Sequence, residues 1–242
     1  MYHDVVEQGD FAASGFPGAG ADVYKLDRQA FAQHLQAIRE AIGSGPVCLT
    51  FDDGGASAYQ PVAGMIEQYG WRGYFFVTTD WVGRPGFLNE SQIRDLDRRG
   101  HVIGSHSSSH PTRMARIARS EMLTEWTQST RRLAEIVGHP VNVASVPGGY
   151  YSRKVAEAAA AAGIRTLFTS EPTMRVQVVD GCEVLGRYVV QRHMAPHWSA
   201  GFAAGKTLPR LRQAILWKAK QAAKAGGGEL YLRVRETILK KA

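Results

Sequence analysis

The chain has 242 residues, of which 44% are hydrophobic and 21% charged, and its formal net charge is +7. These proportions are those of an ordinary globular protein, and the length suits one sizeable domain. Two cysteines are too few for a disulfide scaffold, and we expect Cys48, which lies in an apolar run, to be buried. Membrane spans are excluded because no apolar stretch is long enough, and without a signal-like start we expect a cytoplasmic protein.

Helix-like and strand-like patterns alternate along the first 197 residues. Residues 1–24 are rich in glycine and alanine and predict a loop, after which Asp27 begins a helix with apolar residues three or four apart. The pattern then predicts strands at 47–49, 73–79, 101–103, 141–146 and 165–169, and helices at 62–69, 91–99, 115–137 and 152–162. Such alternation implies a βα barrel or a doubly wound sheet, with function at the carboxyl ends of the strands.

Two adjacent carboxylates follow the first of these strands, in Thr50-Phe51-Asp52-Asp53-Gly54. Neighbouring strand residues point to opposite faces, so a turn at this point could aim the two carboxylates at different partners. Aspartate can serve as a metal ligand or as a general base. An Asp-Asp-Gly sequence is also a common turn, since both residue types are favoured there for backbone reasons.

Two histidines four residues apart, His106 and His110, follow the strand at 101–103. Residues at i and i+4 lie on one face of a helical turn, so both rings could reach one ion, although a solvated polar loop is the alternative. Together with a carboxylate from the earlier strand, the pair favours a metal site. One aspartate and two histidines leave a coordination position open, which is typical of a catalytic site rather than a structural one.

These two stretches together resemble the first two motifs of the NodB-homology polysaccharide deacetylases, carbohydrate esterase family 4. The resemblance covers about residues 1–195 and implies an α/β fold, a distorted (β/α) barrel with about seven parallel strands. It implies that Asp52 is the general base and that Asp53, His106 and His110 bind a divalent metal ion, zinc by resemblance, although such sites accept other divalent ions. Tyr2-His3 resembles the first strand of the family, which places His3 near the site unless the terminus is frayed.

A third stretch resembles the family's Arg-x-Pro-x-Gly motif, but Ser145 stands where the arginine is expected. In the family this arginine holds the base in place. Its absence predicts a raised pKa for Asp52, unless Arg165 or Arg187 reaches the carboxylate instead. The Pro-Gly-Gly turn keeps a backbone N–H that can face an oxyanion, and the resemblance assigns this donor to Gly148.

The last motif of the family, a strand that ends in a general-acid histidine, has no close copy here. The nearest equivalent is the strand-like run 184–193, whose carboxyl end carries His193. A histidine with a pKa near neutrality suits the protonation of a leaving amine, and we assign this role to His193. A surface histidine without function is equally compatible with the pattern.

The tail differs from the rest of the chain. Residues 198–242 hold ten basic and two acidic residues, so they carry more positive charge than the whole chain. They predict a basic helical extension that packs on the barrel of residues 1–197, with one amphipathic helix through Leu208, Leu211 and Ile215 and a second after Gly226–Gly228. Such a segment could attract an anionic membrane surface or an anionic, lipid-linked glycan, or form a solvated packing helix. Basic and aromatic residues are not interleaved, which argues against nucleic acid.

The expected function is that of a metal-dependent hydrolase, which removes N-acetyl groups from a glycan, either an exopolysaccharide or a lipid-linked precursor. Two alternatives stay open. One is a catalytically impaired carbohydrate-binding barrel, which Ser145 and the weak last motif favour. The other is a deacylase of a small non-glycan amide on the same scaffold.

Overall fold

A computed structural model describes residues 1–221. The second tail helix and the glycine run predicted before it lie outside these residues. A helix long and apolar enough to cross a membrane is not found within the described part of the chain.

Strands and helices alternate along the chain. The strands are β1 (Val5–Val6), β2 (Leu26–Asp27), β3 (Leu49–Phe51), β4 (Gly73–Val77), β5 (Val102–Ser105), β6 (Val143–Ser145), β7 (Thr166–Phe168), β8 (Gln177–Val179) and β9 (Cys182–Leu185). The α-helices are α1 (Ala19–Asp22), α2 (Arg28–Ile42), α3 (Gly64–Glu67), α4 (Glu90–Arg98), α5 (Arg119–Val137), α6 (Arg153–Ala161), α7 (Pro196–Ala203) and α8, residues 207–221. Every strand and helix predicted between residues 27 and 169 is confirmed, with ends shifted by a few residues.

Seven strands form one curled sheet in the order β3-β4-β5-β6-β7-β9-β8. The first five neighbouring pairs are parallel, and β8 pairs with β9 in the antiparallel sense. The short parallel pair β1-β2 lies beside β3, at the edge of this sheet. Tyr2, just before β1, forms a parallel bridge with Phe51 of β3. The predicted distorted barrel is confirmed, except that one of the seven strands is antiparallel. A tight turn at Asp180 and Gly181, both with positive φ, returns the chain and makes β8-β9 a hairpin.

The helix predicted after Asp27 shows how the sequence determines these elements. Asp27 caps α2 by accepting a hydrogen bond from the amide of Gln29, and Gly43 ends the helix with positive φ. Phe31, Leu35 and Ile38 are buried on one face of this helix. That face packs against the sheet in the larger of two apolar clusters, and the smaller cluster lies around Trp126 of α5.

Two sequence-based expectations fail in the details. Cys48 is exposed, because β3 begins one residue later at Leu49 and the apolar run does not enter the sheet as a whole. The run 184–193 is a strand only as far as Leu185. At Gly186 the chain leaves the sheet and passes so close to the carbonyls of Glu171 and Thr173 that a Cβ atom would collide with them. The proposed domain boundary at residue 197 falls within α7 and stays a prediction.

Candidate active site

Asp52 and Asp53 lie at the carboxyl end of β3 and diverge there. Asp53 has φ 78° and Gly54 has φ 79°, so the backbone turns in the left-handed region directly after the strand. A Cβ atom on Gly54 would lie 3.1 Å from Val77 of β4. The close approach of β4 therefore also favours glycine at position 54. Both carboxylates are buried. The turn therefore directs two buried acids to two different sets of partners.

Asp53 faces the two histidines. Its Oδ1 lies 3.2 Å from Nε2 of His106 and 3.5 Å from Nε2 of His110. One ligand atom from each of the three residues lies within 4.8 Å of the others. Burial opposes ionisation of Asp53, but the hydrogen bonds with His106 and His110 outweigh it and hold the pKa of Asp53 well below its usual value.

The donor set fits a divalent ion such as zinc. Nδ1 of His106 lies 2.9 Å from the carbonyl oxygen of Ser145, so that nitrogen donates and Nε2 is the nitrogen left to bind an ion. A neutral imidazole with its second nitrogen fixed by a carbonyl is the usual state of a metal-binding histidine. Two imidazoles and one carboxylate leave a coordination position open for substrate or water.

The histidine-bearing segment is an irregular loop. Ser107 and His110 both have positive φ, 66° and 63°, a conformation that a non-glycine residue adopts only when its surroundings hold it. Glu125 of α5 supplies that support, because its carboxylate accepts the amides of Ser108 and Ser109 at 2.9 and 2.8 Å and the Ser109 hydroxyl at 2.6 Å. Sequence reasoning missed Glu125, which lies fifteen residues beyond the second histidine.

Asp52 has a different partner, Arg187, which follows β9. The guanidinium donates two parallel hydrogen bonds to Asp52, Nη1 to Oδ1 at 2.7 Å and Nη2 to Oδ2 at 2.8 Å. Nη2 also donates to the Ser145 hydroxyl at 2.6 Å, and that hydroxyl donates to Asp52 at 3.1 Å. The small side chain of Ser145 thus leaves room for an arginine from another strand. The alternative partner, Arg165, is exposed at the amino end of β7, away from the carboxylates.

Arg187 is fixed on all sides. Its Nε donates to the carbonyl of Thr169 at 3.0 Å, and the guanidinium lies over the rings of Phe76 and Phe168 at 5.5 and 5.7 Å. Burial by itself would raise the pKa of Asp52, but the charge and hydrogen bonds of Arg187, together with the charge of His106, outweigh burial and lower this pKa to about 2. The expectation of a raised pKa for Asp52 is therefore wrong. The arginine missing from the motif is replaced in space by one further along the chain.

Gly148 lies where the resemblance places it, in the turn after β6. Its φ is 64°, and a Cβ atom there would collide with the carbonyl oxygen of Thr112. Gly148 and Gly149 line the same cleft as Asp52 and Asp53. Glycine at this turn lets the main chain border the cleft directly, as an amide donor to an oxyanion requires.

Two histidines outside the metal cluster also line the cleft. His193 is exposed, in the turn before α7. His3 lies deeper, because the amide of Asp52 donates to the carbonyl of Tyr2 at 3.1 Å and so holds the neighbouring residue beside the carboxylates. Nδ1 of His3 is buried and has no hydrogen-bond partner among residues 1–221. Burial lowers the pKa of His3 although Asp53 and Asp52 raise it, so this imidazole is neutral near pH 7.

The cleft has a volume of about 740 Å³ and runs from the metal cluster to α8. Aromatic side chains supply much of its wall: Phe16, Tyr24, Tyr150, Trp198, Phe202 and Trp217. Phe16 packs on the ring of His110, with 4.8 Å between the centroids. Helix α8 belongs to the predicted basic tail, so the tail forms one side of the cleft. Sequence reasoning did not foresee this, because no local pattern shows which surface a helix covers.

Comparisons with known proteins find relatives that are named as deacetylases. The chain is 28% identical over 156 residues to the Bacillus subtilis peptidoglycan-N-acetylmuramic acid deacetylase PdaA, covering 64% of this chain and 56% of that protein. It is 29% identical over 99 residues to a chitin deacetylase of Colletotrichum lindemuthianum, covering 40% of each. The chain thus spans about half the length of the curated relatives it matches.

Solved structures share the fold. The Streptococcus pyogenes deacetylase PplD, in complex with acetate, superposes with a TM-score of 0.64 at 19% identity, covering 81% of this chain and 93% of that one. The sequence model described as polysaccharide deacetylase matches residues 39–167, just over half of the chain, and includes Asp52, Asp53, both cluster histidines and Gly148. The chain belongs to the polysaccharide deacetylase family.

Proposed function

We propose that this protein is a metal-dependent hydrolase that removes N-acetyl groups from a glycan. One observation carries the proposal: two adjacent carboxylates at one strand end, one paired with Arg187 and one converging with two histidines, face a single cleft. Two curated relatives are named as deacetylases of peptidoglycan and of chitin, which supports an acetylated glycan as substrate. We propose zinc as the ion, since the ligands are two imidazoles and a carboxylate.

Asp53, His106 and His110 would hold the ion. A divalent ion at this position supplies Lewis-acid polarisation of the acetyl carbonyl and acidifies water. Asp52 accepts the proton of the attacking water. Arg187 keeps the carboxylate of Asp52 ionised and fixes its orientation. The amide of Gly148 donates to the oxygen that becomes negative as the carbonyl carbon turns tetrahedral.

The leaving amine needs a proton, and two histidines could deliver it. His193 is the assignment made from the sequence, and it lines the cleft from an exposed turn. His3 is a second candidate that the structure adds, because it lines the cleft beside the carboxylates. Since its imidazole is neutral at rest, it would take the proton that Asp52 accepts from water and pass that proton to the amine. Substitutions at these two positions distinguish the two histidines by their effects on kcat.

The test is acetate release from a neutral oligomer of N-acetylglucosamine by the protein of residues 1–242. The protein is purified metal-free, reloaded with zinc, and assayed with and without chelator. We expect release that the chelator abolishes and that added zinc restores. A zinc-loaded protein that releases no acetate from any acetylated oligomer would contradict the proposal. Acetate release from small acetylated amines but not from oligomers would instead favour the small-amide deacylase.

The impaired-barrel alternative loses its main support. It depended on the absence of the motif arginine at Ser145, and Arg187 provides the equivalent charge with two hydrogen bonds to Asp52. The long aromatic cleft also favours an extended substrate over a small amide.

We propose further that the protein works at the cytoplasmic surface of a membrane, on an exopolysaccharide or lipid-linked glycan. The outer face of α8 exposes a stripe of Leu208, Leu211 and Ile215, with Leu208 80% and Ile215 58% exposed. Lys218 continues this face one turn later. Apolar residues flanked by basic ones are typical of a helix that binds an anionic bilayer surface, such as the cytoplasmic leaflet.

Vesicle cosedimentation tests the membrane proposal. We expect the protein to sediment with vesicles that contain phosphatidylglycerol and not with pure phosphatidylcholine. The double substitution Leu211→Glu and Ile215→Glu should abolish sedimentation. Val178→Glu, at a residue 64% exposed on β8, is the matched control and should have no effect. Equal sedimentation of parent and double variant, or concentration-dependent dimerisation through this stripe, would contradict it.

A further inference from the structure

The cleft has a charge distribution that the deacetylation reaction does not need. Its acidic lining residues are Asp52 and Asp53, and both have partners, Arg187 and the two cluster histidines. Three further cations line it, Arg113 after the histidine loop and Arg212 and Lys220 on α8. Within residues 1–221, no acidic side chain forms an ion pair with any of these three. Away from the metal cluster, the cleft is therefore positively charged.

We propose that the cleft selects an acetylated glycan that carries negative charge, and that Arg113, Arg212 and Lys220 bind its carboxylate or phosphate groups. The inference rests on the proposed deacetylase function and adds the substrate class. Several positive charges in a cleft with low-dielectric walls raise the local concentration of an anionic substrate. A neutral glycan gains nothing from these charges.

The arrangement on α8 indicates an extended ligand. Arg212 and Lys220 are eight residues apart, so their attachment points lie about 12 Å apart along the helix axis. Leu216 lies between them on the same side of the helix and also lines the cleft. Two anionic groups held apart on one ligand suit two cations spaced along the cleft wall in this way. An oligosaccharide with charge on more than one residue, or with a charged group beyond the acetylated sugar, can supply such anionic groups.

The guanidinium of Arg212 is held in place before any ligand binds. Its guanidinium lies over the ring of Trp198, 4.6 Å from the centroid, while the residue remains exposed. Stacking fixes the plane of the guanidinium and leaves its edge free, which suits two parallel hydrogen bonds to a carboxylate or phosphate. Trp217 and Trp198 offer apolar surfaces beside the cations, where sugar rings can lie.

Binding is measured with the zinc-loaded Asp52→Asn protein, so that no substrate is consumed. Three probes of equal length are compared by calorimetry: a neutral N-acetylglucosamine tetramer, the same tetramer with a terminal phosphate, and a tetrasaccharide that alternates N-acetylglucosamine with glucuronate. We expect at least one charged probe to bind about fivefold more tightly than the neutral one, and the preference to fade at high salt. The two charged probes distinguish phosphate from carboxylate.

Arg212→Gln, Lys220→Gln and Arg113→Gln should each reduce this preference. Arg165→Gln is the matched control, because Arg165 is exposed at the amino end of β7 and its loss changes the net charge equally. Equal binding of all three probes at low salt, or cleft variants that behave like the control, would overturn the proposal. If the active protein releases acetate from no probe while the charge preference persists, the deacetylase function fails and the anion selection stands.

Discussion

The two carboxylates at the end of β3 are adjacent in sequence but are supported by different parts of the molecule. Asp53 lies against two histidines of one short loop, whose amides donate to Glu125 of α5. Asp52 is fixed by Arg187, 135 residues away along the chain, across β6, β7 and β9. The two histidines of the metal half thus share one loop, whereas the base half depends on contacts between segments that only the folded sheet brings together. Substitutions can break each half separately.

The largest effect is expected at the metal half. His106→Ala removes one of three ligands, so we expect bound zinc to fall from one ion per chain to nearly none and turnover to be lost with it. Metal analysis after gel filtration measures this, with His139→Ala as the control, at an exposed histidine paired with Asp97. Full zinc occupancy in the His106→Ala protein would mean that the ligand assignment is wrong.

At the base half, Asp52→Asn should lower kcat by about 10²- to 10⁴-fold, because the amide keeps the shape but cannot accept a proton. Zinc should stay bound at one ion per chain, since Asp52 faces Arg187 rather than the histidines. Measurements of kcat and of zinc content on the same Asp52→Asn sample test both expectations. Loss of zinc together with activity would show that the two carboxylates have exchanged roles.

A third substitution separates the arginine from the base. In Arg187→Met the buried Asp52 loses its compensating charge, and burial then raises the pKa of Asp52 from about 2. A base with a lowered pKa is ionised at all higher pH values, so the parent should show no acidic limb from Asp52 above about pH 4. The variant should acquire one, and kcat/KM against pH shows the shift.

The complementary substitution is Ser145→Arg. It places a second guanidinium against that of Arg187, and we expect steric crowding and repulsion between the two positive charges to abolish activity. The double variant Ser145→Arg with Arg187→Ser restores a single arginine at Asp52, and we expect it to recover part of the activity. A Ser145→Arg protein as active as the parent, with an unchanged pH profile, would contradict the geometry described for Ser145.

The proton donor gives a smaller and more selective effect. His3→Gln should lower kcat by about 10²-fold and His193→Gln by much less, if the deeper histidine supplies the proton. The opposite order would support His193. A substrate with a better leaving group tests the role itself, because loss of a general acid matters less when the departing amine needs less help. A merely structural defect would lower kcat equally for both substrates.

The smallest effect is expected from Glu125→Gln. The amide oxygen can still accept from the backbone N–H groups of Ser108 and Ser109, but the charge that orients them is lost and an NH2 group replaces the oxygen that accepts the Ser109 hydroxyl. We expect zinc affinity to fall by about fivefold, measured by competition with a chelator. Glu135→Gln, on an exposed side of the same helix, should leave the affinity unchanged. An equal affinity in both variants would show that the loop holds its strained conformation without Glu125.

The sequence predicts features that are set by neighbours in the chain. The spacing of Phe31, Leu35 and Ile38 determines a helix face, and the pair His106 and His110 lies within one loop. The approach of Arg187 to Asp52 depends on strand order and on the space that Ser145 leaves, and no local pattern contains either. Likewise, no local pattern shows that β8 pairs with β9 in the antiparallel sense rather than joining the parallel strands.

The relocation of the arginine also affects how such sequences are sorted into active and inactive groups. A search that requires arginine at the position of Ser145 would place this chain among the inactive members. The folded protein nevertheless has a guanidinium against Asp52, supplied from the strand end after β9. A small residue at the first position, paired with an arginine two residues beyond the last parallel strand, is therefore a signature worth seeking. Sequences that carry it would supply the ion pair from the end of β9, two strands beyond β6 in the sheet.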